Sequence, residues 1–240
     1  MSGESFGEWS RNTGSAKRLS GKILVLTLFI TEKDWPEQEK NMLYDMVLEA
    51  ESWMESLAMR YGKFAKFVNA TEGLSTPYYA HIPPDADSKE LKDSLVVAYL
   101  TKLGVPLDEF CDWAKENFGC SQALLFVVAN DLGRGYANKS YNFHPKDCPE
   151  AAILYHSALG KMTSADVIHE FLHLFGAIDL YHDWSCGISK EKAESFRLMY
   201  PREIMRTTSY PLEELMISPL TAWLIGLSDK KEAWFDEYLK

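Results

Sequence analysis

What this chain lacks narrows its class first. Cysteine is sparse: four residues, Cys111, Cys120, Cys148 and Cys186, form no CxxC pair in 240 positions. Neither a disulfide scaffold nor a cysteine-rich zinc module is therefore expected. Free thiols suit a reducing compartment, so a cytoplasmic location is the expectation, with secretion in its place if a leader has been removed. Long apolar runs are missing as well. The longest strongly apolar stretch, Ile23 to Ile30, is far too short to span a bilayer. It follows Lys17 and Arg18 but precedes no small-residue cleavage site, and it reads as a strand rather than a signal peptide. Positive charge is in deficit: 25 Lys and Arg against 35 Asp and Glu leave a net charge of −10. That balance argues against nucleic acid or an anionic membrane surface as partner. No internal repeat and no low-complexity block occur. The glycines Gly133 and Gly135 of "DLGRG" are not followed by Gly-Lys-Ser/Thr, which excludes a phosphate loop there.

What is present is enough apolar material for one core, with 46% hydrophobic and 13% aromatic residues. Residues 1–21, rich in Ser, Gly and Asn, are expected to form a loose tail, and residues 22–240 a single domain. Strands are expected at Lys22–Thr31, Lys63–Ala70, Ala123–Asn130 and Ala151–Ala158. A long helix is expected to enter at Asp34 as N-cap, carry Pro36 in its first turn and stop at Gly62, with Met42, Met46, Leu48, Trp53, Leu57 and Met59 as its apolar positions. Two further helices are expected at Lys89–Leu103 and Leu107–Phe118. Residues 71–88 and 131–150, punctuated by Pro and Gly, read as loops. "SPLTAWLIGL" is expected to bury Trp223 and Leu224 in a C-terminal helix. This order describes a mixed α/β domain.

The informative stretch is "HEFLHLFGAIDLYH", His169 to His182. On a helix, His169 and His173 lie one turn apart on one face and can grip one cation. Glu170 is too close in sequence to join them comfortably and is placed instead to act as a base toward water activated by that cation. A chain of this composition carries HExxH by chance about once in 80. The pattern continues as HExxHxxGxxD. Gly176 can take a positive φ, end the helix and turn the chain back, so that Asp179 approaches the same metal. Requiring Gly and Asp at those places lowers the chance a further ~300-fold.

With these residues the chain resembles the metzincin clan of zinc-dependent endopeptidases, over roughly Ser164 to Met205. That clan pairs an extended zinc helix and glycine turn with a later methionine turn beneath the metal. Here "YPREIMRTT" offers Met205. A third ligand of Asp type, followed by a Tyr and a Glu-x-Met, is most similar to snapalysin-type peptidases, matched by Tyr181 and by Glu203, Ile204 and Met205. The usual third ligand in the clan is His, where this chain has Asp179. The resemblance implies a zincin-like fold: a twisted mixed sheet, a long backing helix, the HExxH helix and a C-terminal helix. It implies one catalytic Zn2+ and a peptide or protein substrate bound in extended form. It also implies that the strand before the zinc helix, "AAILYH", is the sheet edge that receives the substrate.

Other third ligands remain open at this stage. His182 and Asp183 lie just beyond Asp179. Glu191 and Glu194 stand at the distance from which thermolysin-like peptidases take a Glu, although the surrounding charges read as a solvated face. Met205 is a floor beneath the metal or ordinary core. Tyr210 could steady an oxyanion, and His156 could face the cleft; surface packing and a hydrogen-bonded structural role are the plainer readings. His81 and His144 receive no role. The function expected is a zinc metallopeptidase with His169, His173 and Asp179 as ligands and Glu170 as general base. The alternative is a catalytically inactive zincin-like module that holds a metal or binds another protein. Oligomeric state has no signature in the sequence.

Overall fold

A computed structural model describes residues 14–31, 36–70, 78–79, 97, 100–101, 104–105, 109–129, 135–138, 150–155, 162–183 and 187–239. The elements in chain order are β1 (Gly21–Thr31), α1 (Glu37–Arg60), β2 (Ala65–Asn69), β3 (Tyr78–Tyr79), α2 (Phe110–Phe118), β4 (Gln122–Ala129), β5 (Tyr136–Asn138), β6 (Ala151–Tyr155), α3 (Ser164–Leu174), α4 (Lys190–Met199) and α5 (Pro219–Leu224). Short 3-10 turns follow at Leu212–Glu214 and Ala233–Glu237. The expected mixed α/β class is what the chain adopts. Among the described residues, no helix is long and apolar enough to cross a membrane.

The sheet runs β2-β1-β4-β6-β5, with β3 pairing the far end of β1. All pairings are parallel except β5 against β6. Helices cover both faces, which is why β1 and β4 read as unbroken apolar runs rather than alternating ones. Ile23, Val25 and Phe29 of β1 and Leu124, Phe126 and Val128 of β4 face α1, α3 and the C-terminal segment. Leu24, Leu26 and Leu28, with Leu125 and Val127, face α2 on the other side.

Several expectations are corrected. The helix α1 has Pro36 at its N-cap position, while Asp34 lies outside the described residues. Its buried stripe is Leu43, Val47, Ala50, Met54 and Leu57, whereas Met42, Leu48 and Met59 are exposed. The large apolar residues misled; small ones, Ala50 and Ala58, let the helix lie close to the sheet. The helix α2 starts at Phe110, not Leu107, and of the expected helix 89–103 only Val97, Leu100 and Thr101 are described, all helical. The expected loop 131–150 contains β5. Consequently β6 is not the sheet edge: Ala151, Ala152 and Ile153 pair with Asn138, Ala137 and Tyr136. Among the described residues, the edge beside α3 is β5.

Of the expected tail, only residues 14–21 lie within the described residues, and part of them is packed. Ser15, Ala16 and Leu19 are fully buried. This strap is held by side chains and by main chain, the Ser15 carbonyl accepting from the Ala123 N–H of β4 at 3.0 Å. The Ala16 N–H donates to the buried Glu150 carboxylate at 2.8 Å, and the Lys17 and Arg18 N–H groups donate to Gln122 Oε1. The Leu19 N–H reaches the Ile225 carbonyl at 2.9 Å. Gly14 has φ +81°, and a Cβ there would overlap the Glu150 carboxylate.

One buried acid sets a pH dependence. Glu51 of α1 is 5% exposed and accepts from Asn69 Nδ2 at 2.8 Å. Its Oε1, and Asn69 Oδ1, are buried without a hydrogen-bond partner. Burial pushes the carboxyl up to about 7, against the pull of the Asn69 bond. The folded state therefore keeps a proton that the unfolded chain releases near 4.5, and stability falls as pH rises between about 4.5 and 7. The loss from this group is on the order of 3 kcal/mol. Glu51→Gln should raise the urea midpoint at pH 8 and leave it nearly unchanged near pH 4.5, because an amide also satisfies Asn69. A variant weakened at pH 8 would contradict this.

Candidate metal centre

The helix α3 is capped by Thr163, whose N–H donates to the Asp166 carboxylate at 2.8 Å, a reciprocal cap that fixes the first turn. Its inner face, with Val167, Ile168, Phe171 and Leu172, is buried against the sheet and α1. Phe171 meets Phe126 of β4 edge-on at 5.4 Å. These contacts set the helix rotation, and that rotation turns His169 and His173 outward on one side.

The helix then stops as the sequence requires. Gly176 takes φ +104°, the conformation that favours glycine. Its N–H donates to the His173 carbonyl at 2.9 Å, and the Ala177 N–H to the Leu172 carbonyl at 3.0 Å. The chain returns and brings Asp179 to both histidines. His169 Nε2 and His173 Nε2 each stand 3.2 Å from Asp179 Oδ1 and 3.2 Å from one another. Three donor atoms thus form a nearly equilateral triangle. Ligands at the 2.0–2.1 Å that zinc prefers, in tetrahedral geometry, lie roughly 3.3–3.4 Å apart. The donor set and its spacing fit such an ion.

The tautomers fit too. His169 Nδ1 lies 3.0 Å from the Ile204 carbonyl, and His173 Nδ1 lies 2.9 Å from the Ala177 carbonyl. A carbonyl only accepts, so each Nδ1 carries a hydrogen and Nε2 is the ring atom turned to Asp179. Burial pushes the Asp179 carboxyl up, but its bonds to His169 and His173 outweigh this and hold it well below the usual carboxylate range. The two Nε2 atoms and Asp179 Oδ1 thus converge on one point, which shared protons or a cation can occupy. Side-chain exposures of 12%, 17% and 17% leave the triad reachable from outside. A purely structural zinc site is usually closed; a catalytic one keeps a position open.

Around the triad, Glu170 is 9% exposed. A Cβ added to Gly135, at the entry to β5, would come within 3.2 Å of Glu170 Oε1 and 2.6 Å of Leu154 Cδ2. Glycine there lets the edge strand pass close to the carboxylate. Tyr181 stacks on His169 at 6.3 Å. Met205 is fully buried, and its carbonyl accepts from the Leu180 N–H at 2.9 Å.

The rival ligands go elsewhere. His182 Nδ1 is used by the Ile188 carbonyl at 2.9 Å. Glu194 pairs with Arg197 at 2.7 Å, and Glu191 caps the start of its own helix with Ser189. Tyr210 lies under the Arg202 guanidinium at 5.5 Å, on the surface. His156 lies outside the described residues. The sequence reading did not find the two carbonyls at Ile204 and Ala177, since main-chain acceptors carry no residue signature. Gly135 was weighed only as a phosphate-loop glycine, because β5 itself was read as loop.

No family model matches the chain, and no curated protein matches it. Among solved structures, the crystal structure of a zinc-dependent peptidase from Methanocorpusculum labreanum is similar to it at 14% identity. The match covers 71% of this chain and 92% of that one, with a TM-score of 0.34.

Asp179→Ala should weaken zinc binding by more than the ~10–100-fold that follows loss of a supporting hydrogen bond. Glu191→Ala and Glu194→Ala should leave it unchanged. Chelator competition on the purified variants checks both; retention of zinc by Asp179→Ala would remove it from the ligand set.

Proposed function

We propose that the chain is a zinc-dependent metallopeptidase that cleaves within peptide chains. The observation that carries this reading is the triangle of His169 Nε2, His173 Nε2 and Asp179 Oδ1, 3.2 Å on each side, with Glu170 next to it on the same helix. Zinc held there would supply Lewis acidity toward a scissile carbonyl and a water acidified toward neutral pH. The chain's own contribution is orientation and proton transfer. Glu170 takes the proton from the attacking water and returns it to the leaving amine, with no covalent intermediate on the protein. Its low exposure keeps bulk water from competing for that proton.

The substrate path follows from the sheet edge. Among the described residues no strand lies beyond β5, so this is the side of the sheet to which an extended peptide would add. An extended peptide adding to this edge would run past Gly135 and come alongside Glu170. The Met205 turn is read as the floor of the site, through its packing and its bond to Leu180.

A non-enzymatic module holding a structural ion is the competing reading, and Glu170 separates the two, since a structural site has no use for a base. Metal analysis of the purified protein should find one zinc per chain. A peptide library should be cleaved without chelator and left intact with it. Glu170→Gln should keep the zinc and lower turnover by about 10²–10⁴. Zinc-loaded protein that cleaves no peptide would return the binding-module reading.

The edge strand gives a second test. Gly135→Ala introduces a methyl against Leu154 and Glu170 without a positive-φ penalty. It should lower kcat about 10- to 100-fold by displacing the carboxylate and leave the zinc content as it was. Unchanged turnover would detach β5 from the site.

A further inference from the structure

Between the triad and the C-terminal helix lies a polar cluster that the proposed chemistry does not use. Its centre is Glu203, fully buried. One carboxylate oxygen accepts from the Thr221 hydroxyl at 3.0 Å and from the Met205 N–H at 3.4 Å. The other accepts from the Ser218 N–H. Ser218 in turn caps α5, its hydroxyl accepting the Thr221 N–H at 3.2 Å. Each of these partners is placed to donate, so the carboxylate ties the turn and the start of α5 together.

The two residues that follow Glu203 hold both arms of the candidate centre. The Ile204 carbonyl fixes the His169 ring. The Met205 carbonyl holds Leu180, the residue after Asp179. The turn is tight, with the Arg206 and Thr207 N–H groups folded back to the Glu203 carbonyl at 3.0 and 3.1 Å. The Ile204 N–H is taken by the Met216 carbonyl at 2.9 Å. A rotation of this turn would therefore swing both carbonyls together, tilting the imidazole and the segment that carries Asp179 at once.

We propose that Glu203 is a positioning residue for the metal centre: its buried carboxylate fastens the Ile204–Met205 turn to the start of α5 and so orients His169 and Asp179 together. This rests on reading His169, His173 and Asp179 as a zinc site. A carboxylate that only capped α5 would affect stability alone. One that positions the ligands affects metal affinity and ligand-field geometry in protein that is still folded.

The experiment uses the full chain, loaded with Zn2+ for affinity and with Co2+ for its visible spectrum. In Glu203→Gln the amide N–H groups face a donor, and the turn loses one fastening. Zinc should bind about 10- to 100-fold more weakly than in the unaltered protein, with a shifted cobalt d–d envelope. Phe110→Leu, in the core on the opposite face of the sheet, controls for lost stability and should change neither. Should Glu203→Gln fail to fold, Thr221→Val decides: it removes one donor, leaves the carboxylate, and should weaken zinc about 10-fold. Unaltered protein that takes up no zinc overturns the site reading and this inference together. Normal binding by the unaltered protein, with the same dissociation constant and spectrum in the folded variant, overturns this inference alone.

Discussion

Both histidines of the triad give their Nδ1 hydrogen to a backbone carbonyl, His169 to Ile204 and His173 to Ala177. The rest of the centre depends on those two bonds. A helix places two imidazoles on one face but leaves each ring free to rotate and to choose its tautomer. The carbonyls remove both freedoms and leave Nε2 as the only lone pair that faces Asp179. One acceptor comes from the glycine turn that ends α3, the other from a turn almost thirty residues later. The site is thus closed by a local device and a distant one, and neither suffices alone.

Buried carboxylates recur at the seams of this molecule. Glu51 joins α1 to β2 through Asn69, Glu150 receives the strap through Ala16, and Glu203 links a turn to α5. Burying an acid is costly, so hydrophobic packing alone would be the cheaper glue. What a carboxylate adds is direction: several N–H or O–H donors must meet it at fixed angles. The two that rise to about 7, Glu51 and Glu203, show by that rise how far burial works against them. The sheet between them needs no such device, because its strands are apolar on both faces and the helices cover it.

Much of this was legible in the sequence. HExxHxxGxxD contains its own geometry: the helical period aligns His169 with His173, and Gly176 is the residue type that permits the return. The strands β1, β4 and β6 announced themselves as apolar runs. What stayed hidden has physical causes. The buried stripe of α1 is made partly of alanines, which a reading for bulky residues passes over. The strand β5 is three residues long in a Gly- and Asn-rich stretch, and only its pairing with β6 makes it a strand. The expectation that β6 is the sheet edge came instead from the resemblance, which has no place for this added strand. The role of Glu203 could not be seen at all, since its partners lie fifteen and eighteen residues away in sequence.

The strap at the beginning of the domain has a consequence for how the chain is made. Leu19 is hydrogen-bonded to Ile225, and Arg18 packs where Gly226 has no side chain. A ribosome delivers residue 19 well before residue 225, so this latch cannot close until the segment that carries Ile225 has been made. Until then Ser15, Ala16 and Leu19 lack part of their final cover. This strap must wait, exposed to chaperones and proteases, for α5 to emerge.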